Sequence, residues 1–116
     1  MPEPFDKDDL MDRVDGDAEF LAETVEILDE DGPPLLAEIR EAAGALDAER
    51  LARAAHTYKG MVNNFCAEPA ASAAQRVEEM GRTGTLDGVE QAVAAIEEES
   101  KRLKTALGAL VRSLQA

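Results

Sequence analysis

Apolar residues recur along this chain at intervals of three and four, the spacing of one face of an α-helix, while strand-like alternation of Val, Ile, Thr and aromatic residues is absent. A short first segment over 5–14 offers Phe5, Leu10 and Val14 for burial. Gly16 breaks it, and Asp17 stands as the next N-cap. Phe20, Leu21, Val25 and Leu28 then mark one helical side, Gly32-Pro33-Pro34 interrupts it, and Leu35, Leu36 and Ile39 resume it until Gly44. Two helices or one kinked helix both fit, since proline removes a donor and crowds the previous turn; one long helix bent near Pro33 is the reading adopted. Asp47 opens a helix running to about Cys66. Glu68-Pro69 marks a restart over 69–82, with Ala70, Ala73, Ala74, Val77, Met80 and Gly81 along one side. After a loop at 83–85, a last helix over 86–114 carries Val89, Val93, Ile96, Leu103, Leu107, Leu110 and Leu114. The short connections predict an all-α fold, an antiparallel up-and-down four-helix bundle with a short extra N-terminal helix capping one end.

Composition narrows this without changing it. The 116 residues suffice for a single domain over 1–116 with one modest core. Aromatics are 3% of the chain and alanine and leucine dominate its apolar part, which favours helices packed closely through small side chains. The formal net charge of −13 argues against nucleic acid and anionic membrane surfaces as partners. The lone Cys66 has no partner for an internal disulfide. The chain opens without the basic-then-apolar pattern of a signal peptide, and no apolar run approaches the ~20 residues that span a bilayer. A cytoplasmic, monomeric protein is expected.

The only histidine lies in Ala54-Ala55-His56-Thr57-Tyr58-Lys59-Gly60. At about 100° per residue, Leu51, Ala55, Tyr58, Val62 and Phe65 fall within roughly 40° of one line and form the core stripe. His56 lies about 140° from that line and Gly60 about 180°. Asn63 shares the outer side with His56, and Lys59 lies between stripe and histidine. An outward imidazole with an ammonium three residues on and open space four residues on suits a phosphoryl group that arrives and leaves. A mid-helix glycine costs roughly 1 kcal/mol against alanine. It serves either a close-packed neighbouring helix or an incoming protein surface, and its position opposite the core favours the second. Between Glu49 and Glu68 the chain holds Arg50, Arg53 and Lys59 and no acidic residue, so the segment reads either as a cationic patch around the imidazole or as ordinary solvated helix charge. If the chain reverses near Ala67-Glu68, residue 56 stands opposite about residue 79. Glu78 is then within reach of His56, as a carboxylate that fixes the imidazole tautomer or as one surface acid among others.

Ala55-His56-Thr57-Tyr58-Lys59-Gly60, followed by Asn64-Phe65-Cys66-Ala67, resembles the histidine-containing phosphotransfer (HPt) domain family, whose motif is His-x-x-Lys-Gly on a four-helix bundle. The resemblance extends to the acidic leader helix, Gly-Asp before the second helix and Gly81-Arg82-x-Gly84 between the last two. It implies a phosphorelay intermediate: His56 takes a phosphoryl group on Nε2 from a phospho-aspartate of one response-regulator receiver domain and passes it to another. Lys59 then steadies the phosphoryl charge, Gly60 leaves room for the receiver, Arg53 and Asn63 border the docking surface, and Glu78 orients His56. Magnesium belongs to the receiver, and no cofactor is expected in this chain. Met61 and Val62 stand where the family often has small or hydroxyl residues, which makes the dock more apolar, and Cys66 replaces a common glycine. Glu78 is placed like a glutamate in the front domain of chemotaxis-type kinases, which implies charging by a sensor histidine kinase as the alternative. A helical adaptor that is never phosphorylated is the third reading. A stand-alone enzyme is not expected, because there is no second histidine and no triad. One His and one Cys make no recognisable metal set, and the glycines form no P-loop.

Overall fold

Aspartate side chains start three of the helices. In the computed structural model, which describes residues 3–115, the carboxylates of Asp6, Asp17 and Asp47 accept from the backbone N–H of Asp9, Phe20 and Arg50 at 3.1, 3.0 and 3.2 Å. Each satisfies a donor that the first helical turn leaves without an internal partner. The helices that follow are α1 (Lys7–Arg13), α2 (Ala18–Gly44) and α3 (Ala48–Asn63). α4 (Glu68–Thr83) has no side-chain cap but carries proline in its first turn, and it ends at Gly84 in the left-handed conformation, φ 72°. α5 (Val89–Gln115) completes an all-helical set of five among the described residues.

Several boundaries differ from the sequence expectation, and each has a local cause. α3 stops at Asn63 rather than near Cys66. Cys66 takes a left-handed φ of 56°, and the Ala67 N–H returns to the Val62 carbonyl at 3.4 Å, closing the helix end. Asp15 and Leu46 take the same conformation (φ 54° each) after α1 and α2. Cys66 is no glycine, so the usual signal for the end of α3 was missing; α1 and α2 stop where the sequence placed their ends, before Gly16 (φ 68°) and at Gly44. α5 begins at Val89, three residues later than expected, after Gly88 at φ 80°. Pro33 and Pro34 lie inside one continuous α2. Both prolines, and the Asp29 and Glu30 carbonyls that they deprive of a donor, belong to exposed residues where water can replace the lost bond.

The α3 core stripe is buried as its period requires, with Leu51, Ala55, Tyr58, Val62 and Phe65 at most 2% exposed. It meets Leu21, Ile39, Val77, Val93, Ile96, Leu103 and Leu107 in a single core. Phe20, expected on the buried side of α2, is instead 50% exposed, and Leu114 is exposed as well, while half-buried Met80 packs against the core. The Tyr58 hydroxyl is buried without a hydrogen-bond partner. Burial pushes its pKa up.

α2 packs on α3 and α5, and α4 packs on α3 and α5, so the four long helices form a closed ring. Contacts at 56–78 and 59–75 pair rising numbers on α3 with falling numbers on α4, and the 40–97 and 29–104 ion pairs do the same for α2 and α5. α1 lies over one end: the Asp6 N–H donates to the Cys66 carbonyl at 3.0 Å, and Leu10 is 1% exposed. α3 and α4 approach closely at Gly81 of α4. A Cβ there would stand 2.7 Å from the Ala48 oxygen, 2.7 Å from the Ala52 nitrogen and 2.9 Å from the Ala52 Cβ. Only the missing side chain lets the two backbones come this near.

Candidate functional site

Two residues one turn apart on α3, His56 and Lys59, face two residues one turn apart on α4, Gln75 and Glu78. His56 lies off the core stripe, and its side chain is 68% exposed. Its Nδ1 is 2.9 Å from Glu78 Oε2. Lys59 Nζ donates to the other carboxylate oxygen, Glu78 Oε1, at 2.6 Å and to Gln75 Oε1 at 2.7 Å. Gln75 is turned the right way by its own amide, which donates to Glu79 Oε1 at 2.9 Å.

Glu78 is 6% exposed and is the buried charged residue of the described chain. Burial pushes its carboxyl up, but the hydrogen bonds from Lys59 and His56 and their charges outweigh burial and hold it below the ordinary carboxylate value. The group is therefore ionised near neutral pH, and an ionised carboxylate can only accept. The proton of the neutral imidazole then sits on Nδ1, and the lone pair stays on Nε2. The arrangement leaves an exposed ring whose Nε2 lone pair faces solvent and whose Nδ1 side abuts a carboxylate, a geometry with which an imidazole can act as a nucleophile.

Gly60 is exposed, and a Cβ there would meet nothing within 4 Å. Close helix packing is therefore not its role; Gly81 on the facing helix does that. Asn63 is also exposed beside this face. Arg53 is exposed and reaches Glu49 only at 3.6 Å. The cationic patch expected around the imidazole is largely neutralised: Arg50 donates to both oxygens of Glu38, at 2.9 and 2.7 Å, and Lys59 is committed to Glu78. Partners from α2 and α4, distant in sequence, supply the missing acids.

Sequence reasoning overlooked Gln75 and Glu79. The register that sets residue 56 opposite 78 also sets 59 opposite 75, so the same fold-back argument could have found them. Beside Lys59 runs a shallow groove of about 300 Å³ bordered by Asn63, Ser72 and Gln75. A separate groove of about 440 Å³, around Gly32 and Pro33, is lined by α2 and α5 alone. Among the described residues no His, Cys, Asp and Glu side chains converge as a metal-ligand group, and no helix is long and apolar enough to cross a membrane.

The family model described as the Hpt domain matches residues 20–112, which includes every residue of this site. No curated protein and no solved structure matches the chain.

Proposed function

The chain belongs to the Hpt domain family, phosphocarrier modules of two-component signalling, and from that premise we propose that His56 is its phospho-acceptor and that 1–116 is one such domain, an antiparallel up-and-down bundle acting as a monomer in the cytoplasm. The observation that carries this reading is the exposed His56 ring whose Nδ1 is held by a buried, ionised Glu78.

The step follows from that geometry. The Nε2 lone pair attacks the phosphorus of a receiver's aspartyl phosphate. The P–N bond forms, the P–O bond to the aspartate breaks, and the aspartate leaves as a carboxylate. The ring, now substituted at Nε2 and protonated at Nδ1, carries a positive charge that Glu78 offsets. Transfer to a second receiver reverses these bond changes. Any magnesium is supplied by the receiver, and the chain contributes orientation rather than catalysis of its own. Gly60 leaves space for the receiver's loops, with Arg53 and Asn63 at the border. Lys59 keeps Glu78 ionised, and its remaining N–H is free to turn toward the phosphoryl oxygens.

The test is phosphate transfer to the purified chain from phosphorylated receivers and, in parallel, from a sensor kinase domain with ATP. An acid-labile, alkali-stable phosphate that His56→Gln abolishes is expected, with receivers the faster donors. A faster kinase reaction would assign the chain to the kinase-fed class. No label from either donor type would leave the unphosphorylated adaptor.

A further inference from the structure

The seam between α2 and α5 lies across the helix ring from the α3–α4 seam that carries His56. Its groove of about 440 Å³ falls within the ~300–1,000 Å³ typical of small-molecule sites. On the α2 wall, Leu28, Gly32 and Leu36 leave apolar surface, and buried Gly32 has no side chain to fill the space. An ion pair bounds each end. Arg40 Nε donates to Glu97 at 2.8 Å, and Lys104 Nζ stands 3.8 Å from an Asp29 oxygen. Lys101 lies on the α5 wall about one turn from both Glu97 and Lys104. It has no hydrogen bond or ion pair among the described residues. The α2 wall also holds an acceptor without a helical donor. Pro33 has no N–H, so the Asp29 carbonyl in the preceding turn loses its partner. That carbonyl points along the helix toward Pro33, and both residues line the groove.

Apolar surface, an unpaired ammonium and a free carbonyl ask for matching chemistry in one molecule. Its body must be apolar, an anionic group must meet Lys101, and an N–H must meet the Asp29 carbonyl. We propose that the α2–α5 groove is a binding site for a small amphipathic organic acid that carries an N–H donor. A cationic molecule would face Lys101 and Lys104 together. A neutral apolar one would lay surface against Lys101 without a counter-charge. The formal net charge of −13 repels anions from the chain as a whole, so affinity depends on this local cation and on apolar contact. A second copy of the chain would bring that same net charge against itself. Because the groove is lined by α2 and α5 alone, its occupant and a receiver fit on the domain at once, and the inference stands apart from the role of His56.

The probe is anilinonaphthalene sulfonate, which joins an aromatic body, an N–H and a sulfonate and fluoresces brightly in apolar surroundings. Fluorescence titration of wild type should give a saturable site of about one probe per chain. Lys101→Gln should weaken it by about tenfold and flatten its salt dependence, while uncharged N-phenylnaphthylamine binds as before. Pro33→Ala returns an N–H to the Asp29 carbonyl and should weaken the sulfonate severalfold. Gly32→Leu should block both probes. A Cβ at Gly32 meets only Leu28 Cδ1 at 3.7 Å, an ordinary contact, so the added side chain enters the groove. Circular dichroism checks each fold, and exposed Lys101 decides alone if Gly32→Leu unfolds. Phe20→Ser, on exposed apolar surface elsewhere, should change nothing. The site is overturned if wild type shows no saturable binding, if folded Lys101→Gln, Pro33→Ala or Gly32→Leu keeps wild-type affinity, or if Phe20→Ser removes binding. Wild-type self-association that the probe reverses would assign the groove to a dimer and overturn the small-acid reading.

Discussion

Replacing Gly81 by alanine sets two effects against each other. Alanine is favoured over glycine inside a helix by about 1 kcal/mol, so a view confined to α4 expects stabilisation. The tertiary contact opposes it. The new Cβ would start 2.7 Å from the Ala48 oxygen and the Ala52 nitrogen, and reaching the ~3.5 Å at which such contacts become favourable needs about 0.8 Å of separation. Both obstacles are backbone atoms, so no side chain can turn aside. Overpacking costs about 1–3 kcal/mol; with two backbone atoms in the way the upper part of that range, about 2–3 kcal/mol, applies, and subtracting the propensity gain leaves a net loss of about 1–2 kcal/mol. At about 4 °C per kcal/mol for a domain of this size, the melting temperature should fall by roughly 4–8 °C. Glu78 is one turn from Gly81, and half of that separation would carry its 2.9 Å contact with His56 beyond the ~3.2 Å limit of a good hydrogen bond. Gly60→Ala is the internal control: nothing lies within 4 Å of its Cβ, so it should raise stability by about 0.5–1 kcal/mol. Thermal unfolding of both variants, with nitrogen chemical shifts of the His56 ring, decides the matter. If Gly81→Ala stabilises the fold as Gly60→Ala does, the close approach of α3 and α4 is wrong.

Lys59→Ala should destabilise the fold by about 1–3 kcal/mol at pH 7, because buried Glu78 loses a charged partner. Since the folded-state pKa of Glu78 is lowered from 4.5, its contribution is present above that value and disappears as pH falls through the lower folded value; urea unfolding should show the Lys59→Ala deficit shrinking on acidification, and a deficit independent of pH would remove Glu78 from the account. Glu78→Ala should release the Nδ1 proton preference of His56, visible in the ring nitrogen shifts, and slow phosphate acceptance on the order of tenfold through lost orientation; an unchanged tautomer ratio contradicts the assigned role. Gly60→Gln should keep the fold while weakening receiver binding, and normal receiver affinity in that variant would end the open-space argument.

How much of this was legible beforehand varies residue by residue. The outward placement of His56 and Gly60, and the burial of Tyr58 and Val62, follow from helical period alone because each depends on its angle around one axis. Register placed Glu78 opposite His56, since a short reversal leaves little freedom in which residues face each other. Phe20 shows where period fails: it is apolar and correctly spaced within its own turn, yet it lies on the rim between two helices. The breaks after α1 and α2 were legible at Gly16 and Gly44, whereas the turn at Cys66 was hidden because a closing bond holds an ordinary residue where glycine would signal a helix end. The apparent cationic segment was also misleading, since Glu38 and Glu78 neutralise it from other helices.

Local chemistry in the chain was enough to specify five helices, the starts at Asp17 and Asp47, and a histidine facing away from the packed side, because capping and periodicity act within a few residues. Tertiary packing decided whether Glu78 would be a solvated acid or a buried, ionised anchor for His56 and Lys59. That outcome depends on the distance between two backbones, which is set where Gly81 meets Ala48 and Ala52, and no single helix contains that information.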